Sequence, residues 1–180
     1  MTQRKAKLLP FDQLLNLALR ALGGRAHSTG ELKEKLRRRA ERAEDVEAVL
    51  KKLKEVGYLD DQRFAENYAT ARLENEGVGK MRVLRDLRQR RVAGNTAEQV
   101  TERTYKDTNE PDLIEAFLKR KYRGKQLGTF LKEDKNLAAA FRRLRYAGFS
   151  AGASIRVLKR YAQQPEVLDA LESDSAEAES

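Results

Sequence analysis

Apolar residues recur at three- and four-residue spacing along almost the whole chain, and the two-residue alternation of a half-buried strand is nearly absent. Phe11, Leu14, Leu15, Ala18, Leu19 and Leu22 form one helical stripe, and Val46, Val49, Leu50 and Leu53 form another. The pattern predicts helices over residues 11–22, 29–39 and 44–56, then 61–75, 79–91 and 96–106, then 111–122, 134–147 and 151–162. The punctuation agrees. Gly23 and Gly24 can close the first helix, because glycine accepts the left-handed C-cap conformation without steric cost. Ser28-Thr29-Gly30-Glu31 reads as a capping box and Asn95-Thr96-Ala97-Glu98 as a weaker copy of it. Pro10, Pro111 and Pro165 all fall at helix edges, where a ring without an N–H does least damage.

Laid against itself, the chain repeats. Segments opening with Leu-Arg at Leu36, Leu87 and Leu144 each carry a valine thirteen places on, at Val49, Val100 and Val157. The landmark leucines are 51 and 57 residues apart, which places about six extra residues in the 124–134 stretch of the third segment. Three helical stripes within such a period imply three-helix repeats joined in series, each too small to bury much surface alone, so packing between neighbours supplies part of the stability. The expected fold is all-α, an elongated, curved array of three tandem three-helix repeats. An N-terminal extension (1–10) precedes repeats at 11–59, 60–109 and 110–164, and an acidic tail (165–180), too poor in apolar residues to fold, closes the chain.

Composition narrows the function. Charged residues make up 36% of the 180, against roughly 25% in ordinary domains, which suits much surface per unit of core. The net charge is +9, and setting aside the six acids of residues 166–180, which hold no base, leaves +15 on the rest. A field of that sign favours polyanionic partners over neutral small substrates. There is no cysteine, which excludes disulfides, zinc fingers and thiol nucleophiles, and the one histidine, His27, sits where a local hydrogen bond is its ordinary role. No apolar run approaches the roughly 18 residues of a membrane span, and the first ten residues lack a signal peptide's apolar core, so a cytoplasmic protein without cofactor is expected.

The segment YLDDQRFAENYATAR (58–72) is the one place that invites a catalytic reading, with Asp60, Asp61 and Glu66 around a divalent ion. A structural reading needs no metal. Gly57 stops one helix, Asp60 caps the next, Asp61 adds charge where the helix dipole favours it, and Leu59 and Phe64 stand at the two positions of a hydrophobic staple. Neighbouring carboxylates at a helix start diverge, so capping is the preferred role. Arg63 completes this structural motif. The aromatic residues Tyr58, Phe64, Tyr68, Phe117, Phe141, Phe149 and Tyr161 fall on apolar faces and are assigned to cores.

For binding, Arg37, Arg88 and Arg145 occupy equivalent repeat positions and present a candidate row, widened by Arg38, Arg39, Arg85, Arg90, Arg91, Arg142 and Arg143. The competing role is to complement the C-terminal dipole of a helix.

The order of motifs resembles one family. Leu59-Asp60-Asp61-x-Arg63-Phe64-Ala65, a following Arg72, and Gly77-x-Gly79 leading into Val83, Leu84 and Leu87 look like the central signature of the RecX family. Ser28-x-x-Glu31-Leu32-x-x-Lys35-Leu36 with Gly57-Tyr58 resembles its first repeat, and Gly148-Phe149-Ser150 with Ile155 and Leu158 its closing one, so the likeness spans roughly residues 11–162. The resemblance implies a non-enzymatic, monomeric regulator that lodges in the groove of the RecA recombinase filament on DNA. Members suppress its ATPase, strand exchange and co-protease activities and temper the SOS response to DNA damage, with weak direct binding to single- or double-stranded DNA as a further implied property. Two departures stand out: Arg90-Arg91-Val92-Ala93-Gly94 replaces a lysine-glycine-isoleucine type of turn, and the third repeat carries the insertion. An autonomous DNA-binding protein of tandem helix-turn-helix-like modules ranks second, and a metal-dependent nuclease third.

Overall fold

The computed structural model describes residues 8–162 and Leu168. All six acids of the expected tail lie outside these residues. Among the described residues the chain is all-helical: α1 (Phe11–Gly24), α2 (Thr29–Arg37), α3 (Ala43–Glu55), α4 (Asp61–Ala71), α5 (Lys80–Gln89), α6 (Gly94–Tyr105), α7 (Glu110–Lys121), α8 (Leu127–Phe130), α9 (Asp134–Tyr146) and α10 (Ala151–Lys159). A π-helical turn, Arg72–Glu76, continues α4, and one isolated bridge joins Leu9 to Ala40. The six landmarks Leu36, Leu87, Leu144, Val49, Val100 and Val157 are all buried, so the repeat in the sequence is a repeat of core positions.

Local chemistry explains most helix ends. Ser28 accepts from the Glu31 amide at 3.0 Å while the Glu31 carboxylate accepts from the Ser28 amide at 3.3 Å, which forms the capping box. The second box does not form. α6 starts earlier, at Gly94, the Asn95 side chain accepts from its neighbour Thr96, and Glu98 pairs with Arg88 at 2.7 Å instead of reaching back. Gly23 and Gly24 stay helical. α1 ends at an extended Arg25, whose guanidinium binds the Ala26 carbonyl and both carboxylate oxygens of Glu31, and these contacts draw the chain toward α2. The insertion folds into α8 and delivers Leu131 to the core, with Phe130 tilted against Tyr122 at 5.0 Å. Among the aromatics, Tyr58 departs from its expected place, being 61% exposed: it follows the αL residue Gly57, which turns it outward.

The chain divides into two compact units. One holds the residues through Tyr68 together with Asp86–Val100; the other holds Ala69–Arg85 and the chain from Thr101 on. Leu14, Leu32, Leu36, Val49, Leu53 and Leu59 centre the core of the first, and Ile114, Leu118, Leu137, Phe141, Phe149 and Leu158 that of the second. The division passes through α4, α5 and α6, so the second repeat contributes to both units.

Each unit contains a joint at equivalent repeat positions. In the first, the start of α2 meets the turn that ends α5: the Ser28 hydroxyl donates to the Arg90 carbonyl, and a Cβ on Gly30 would collide with Arg91. In the second, the start of α5 meets the turn that ends α9: the Gly79 amide donates to the Ala147 carbonyl at 2.8 Å and the Met81 amide to the Gly148 carbonyl at 3.1 Å. A Cβ on Gly79 would strike the Gly148 backbone, and one on Gly148 the Arg82 amide. Both turns are Schellman motifs. Val92 donates to Leu87 and Arg91 to Arg88, just as Phe149 donates to Leu144 and Gly148 to Arg145. Their left-handed residues are Gly148 (φ 88°) and, where glycine would be unstrained, Arg91 (φ 59°).

Gly148→Ala should therefore cost about 2–4 kcal/mol, the sum of a left-handed alanine and an overpacked contact, in urea unfolding followed by circular dichroism. Gly152→Ala, in open space at the start of α10, should be neutral or gain up to about 1 kcal/mol. Arg91→Gly should fall on the stabilising side by up to about 1 kcal/mol, since relief of the left-handed conformation outweighs glycine's greater unfolded-state entropy.

Candidate functional site

The aspartate pair resolves into two caps on two helices. Asp60 accepts from the Arg63 amide at 2.9 Å and its carbonyl accepts from Phe64 at 2.9 Å, which starts α4. Asp61 instead accepts from the Thr29 amide at 2.7 Å, so it serves the first turn of α2, 32 positions upstream. Behind the pair, Gly57 (φ 75°) closes α3 in a Schellman turn, with Tyr58 donating to Leu53 at 2.9 Å and Gly57 to Lys54 at 3.0 Å. Arg63 locks that turn by donating to the Gly57 carbonyl at 2.8 Å, while Leu59 and Phe64 are buried. Glu66 accepts from Gln62 at 2.7 Å. Among the described residues no group of three or more His, Cys, Asp or Glu is placed to hold a metal ion. His27 is buried, with Nδ1 2.9 Å from the Arg25 carbonyl.

The candidate arginines fall into two kinds. Some serve the fold. Arg90 pairs with Glu31 at 3.2 Å and lies 4.8 Å from the centre of the Tyr68 ring, and Arg145 donates to the Phe149 carbonyl at 2.6 Å. Arg143 lies 5.4 Å from the Tyr122 ring, and Arg39 is half-buried. Others face water. Arg37, Arg85 and Arg142 are exposed, while Arg38 and Arg91 make loose surface pairs with Glu34 at 3.3 and 3.8 Å, and Arg88 pairs with Glu98. The three repeat-equivalent residues thus differ in chemistry: Arg37 and Arg88 lie at the surface of the first unit, and Arg145 holds a turn in the second.

Sequence reasoning passed over one basic feature. An open groove between α1 and α2 is lined by Arg20, Arg25, Lys35, Arg38, Arg39 and Arg91, with Glu31 and Glu34 as its acids. Arg20 and Arg25 belong to α1 and its exit, away from the repeat landmarks, and the three- and four-residue spacing of Leu17, Arg20, Ala21 and Gly24 on α1 and of Glu31, Glu34, Lys35 and Arg38 along α2 was the signal that could have exposed it. Glu31 is central here. Burial alone would raise its pKa, but the Arg25 hydrogen bond, the Ser28 amide and the charges of Arg25 and Arg90 outweigh it and hold the carboxyl below the usual range.

Comparison with known proteins fits this architecture. A model of the first three-helix domain of RecX matches residues 15–53, and one of the second three-helix domain matches residues 60–100. The regulatory protein RecX of Vibrio parahaemolyticus is 31% identical over 133 residues, 74% of this chain and 81% of the relative. The chain belongs to the RecX family. The RecX regulatory proteins of Deinococcus radiodurans and Halorhodospira halophila are 37% and 41% identical over 111 and 91 residues, 61% and 51% of this chain. The match spans about half the length of these curated relatives, 52% and 56%. A crystal structure of RecX from Lactobacillus salivarius shares the fold with a TM-score of 0.64 at 19% identity, covering 84% of this chain and 96% of that one. Within the RecX family, then, this chain has the tandem three-helix architecture. No helix among the described residues is long and apolar enough to cross a membrane.

Two outcomes test these roles. Asp60→Ala should lower stability by about 1 kcal/mol, as lost N-caps do, and Asp61→Ala should cost a similar amount while its damage appears at the far end, as faster amide exchange at Thr29 in α2. Because the Glu31 pKa is depressed on folding, its contribution is present above the unfolded carboxylate pKa and lost as pH falls through the folded one. Glu31→Gln should accordingly flatten the acid limb of stability below about pH 4.3, measured by urea titration across pH.

Proposed function

We propose that this chain is a non-enzymatic regulator of homologous recombination that binds the RecA filament on DNA and inhibits its ATPase, strand exchange and co-protease activities. Membership of a family of regulatory proteins carries the reading. The charge supports it: a +15 surplus before residue 166 suits a target that combines nucleic-acid phosphate with a repeating protein surface. It acts as a cytoplasmic monomer without cofactor. Contact to the filament runs through basic residues of each unit by itself, foremost Arg37 and Arg38 at the end of α2, with Arg39, Arg88 and Arg91, in the first, and Arg85, Arg142 and Arg143 in the second. Arg90 and Arg145 contribute by holding a turn each in its own unit.

Direct DNA binding is the second reading, favoured by Arg85 and Arg142, which are exposed and carry no ion pair among the described residues. Co-sedimentation with bare single-stranded DNA and with recombinase-coated DNA, while ATP turnover is followed, separates the two. Preference for the coated strand with falling ATPase is expected; equal affinity for both with ATPase untouched would overturn the leading reading. Arg37→Glu combined with Arg38→Glu should weaken filament binding at unchanged helicity. For each phosphate contact removed, the slope of log affinity against log salt should fall by about one.

A further inference from the structure

Among the described aromatic residues, Tyr146 is the most solvent-exposed large one, with 68% of its surface in water. It ends α9, one residue before the turn whose Gly148 carbonyl accepts from the Met81 amide. That joint brings the start of α5 against it. Arg82 lies over the Tyr146 ring with its guanidinium carbon 4.8 Å from the centroid, and Met81 beside it is 50% exposed. Tyr146 and Met81 together expose an apolar patch of the kind that marks an interaction site, and the Arg82 guanidinium stacked on the ring adds a favourable cation–π contact.

Among the described residues the surrounding charge is mainly positive. Arg85 stands one turn beyond Met81 and Arg82 on the same side of α5, and Arg142 one turn before Tyr146 on α9, and both are exposed, with no ion pair among the described residues. The only acid of α5 is Asp86, buried and accepting from the Tyr68 hydroxyl at 3.0 Å. The only acid of α9, Asp134, is at its opposite end. The nearby Glu110 is committed to the amide and hydroxyl of Ser150, each at 2.7 Å. Glu102 is paired with Lys80, the neighbour of Met81, so among the described residues the patch presents the Tyr146 ring and Met81 with a surplus of arginine around them, where a polar protein partner would gain more from mixed charge.

We propose that Tyr146, with Met81, Arg82, Arg85 and Arg142, forms a contact for single-stranded nucleic acid, in which an unpaired base stacks on the Tyr146 ring and the three arginines hold the flanking phosphates. Stacking explains the exposed ring, because every base has a π-face and such contacts tolerate sequence. It also selects single over double strands, since a duplex keeps its base faces within its own stack. The arginine on the ring strengthens the platform through its cation–π contact. This activity is independent of the filament reading, because it requires only the bare strand.

The test measures fluorescence anisotropy with the full chain, without recombinase, on labelled oligothymidylate, an abasic oligomer of the same length and a duplex, at one fixed salt concentration. The intact protein should bind oligothymidylate tighter than either control. Tyr146→Ala should weaken oligothymidylate binding by roughly 5- to 100-fold while leaving the abasic oligomer unchanged, and Tyr146→Phe should restore it. Arg85→Glu with Arg142→Glu should weaken both single strands. Equal affinity of the intact protein for oligothymidylate and the abasic oligomer would overturn the proposal. So would unchanged oligothymidylate binding in Tyr146→Ala, and if that variant also lost binding to recombinase-coated DNA, the patch would belong to a protein contact instead.

Discussion

The fold depends on a backbone joint made twice. The first turn of one repeat's second helix lies against the Schellman turn that ends the second helix of the next repeat, with Ser28 on Arg90 and Gly79 on Ala147. A three-helix repeat buries too little surface to stand alone, and this joint couples neighbouring repeats, through the Ser28 hydroxyl on a main-chain carbonyl in the first unit and through main-chain groups on both sides in the second. The approach is so close that Gly30, Gly79 and Gly148 leave no space for a Cβ. The joint also accounts for the two compact units: the end of α5 belongs with the first repeat and its start with the third. At the head of the array the position equivalent to Arg91 and Gly148 is Ala40, and there the extension residue Leu9 takes the place of a preceding repeat by bridging to it.

This geometry assigns jobs to residues whose charge alone suggests another. Arg63 and Arg145 each donate to a carbonyl of a helix-ending turn, and Arg90 ties α5 to Glu31 at the start of α2. Such guanidinium groups satisfy carbonyls that a helix C-terminus leaves without intrahelical partners, and they complement its dipole. They are part of the scaffold. The remaining surplus lies on the exposed faces of α2, α5 and α9, where it sets the sign of the local field. A repeat protein that regulates by binding has to divide its basic residues in this way, because the same arginine seldom holds a turn and a phosphate at once.

Much of the fold was legible in the chain. Eight of the predicted helix starts fall within one residue of the observed ones, because amphipathic spacing, capping boxes and prolines act over a few neighbouring positions. The exception, α6, starts at Gly94, two residues early, because Glu98 is drawn across to Arg88. The Asp60 cap and the Gly57 stop were equally visible, each being a device of six residues or fewer. The candidate surface was less so. The equivalence of Arg37, Arg88 and Arg145 is real in the repeat and dissolves in the structure, where each meets a different neighbour.

By itself the sequence determined the all-helical class, the three repeats and their core landmarks, since these follow from local periodicity and from volume that must be buried. Only the tertiary structure decided where Asp61 points, which arginines are spent on turns, that Tyr58 and Tyr146 face water, and that glycine contacts join the repeats. Those outcomes rest on contacts between residues tens of positions apart, and no local pattern encodes which distant carbonyl a given donor will find.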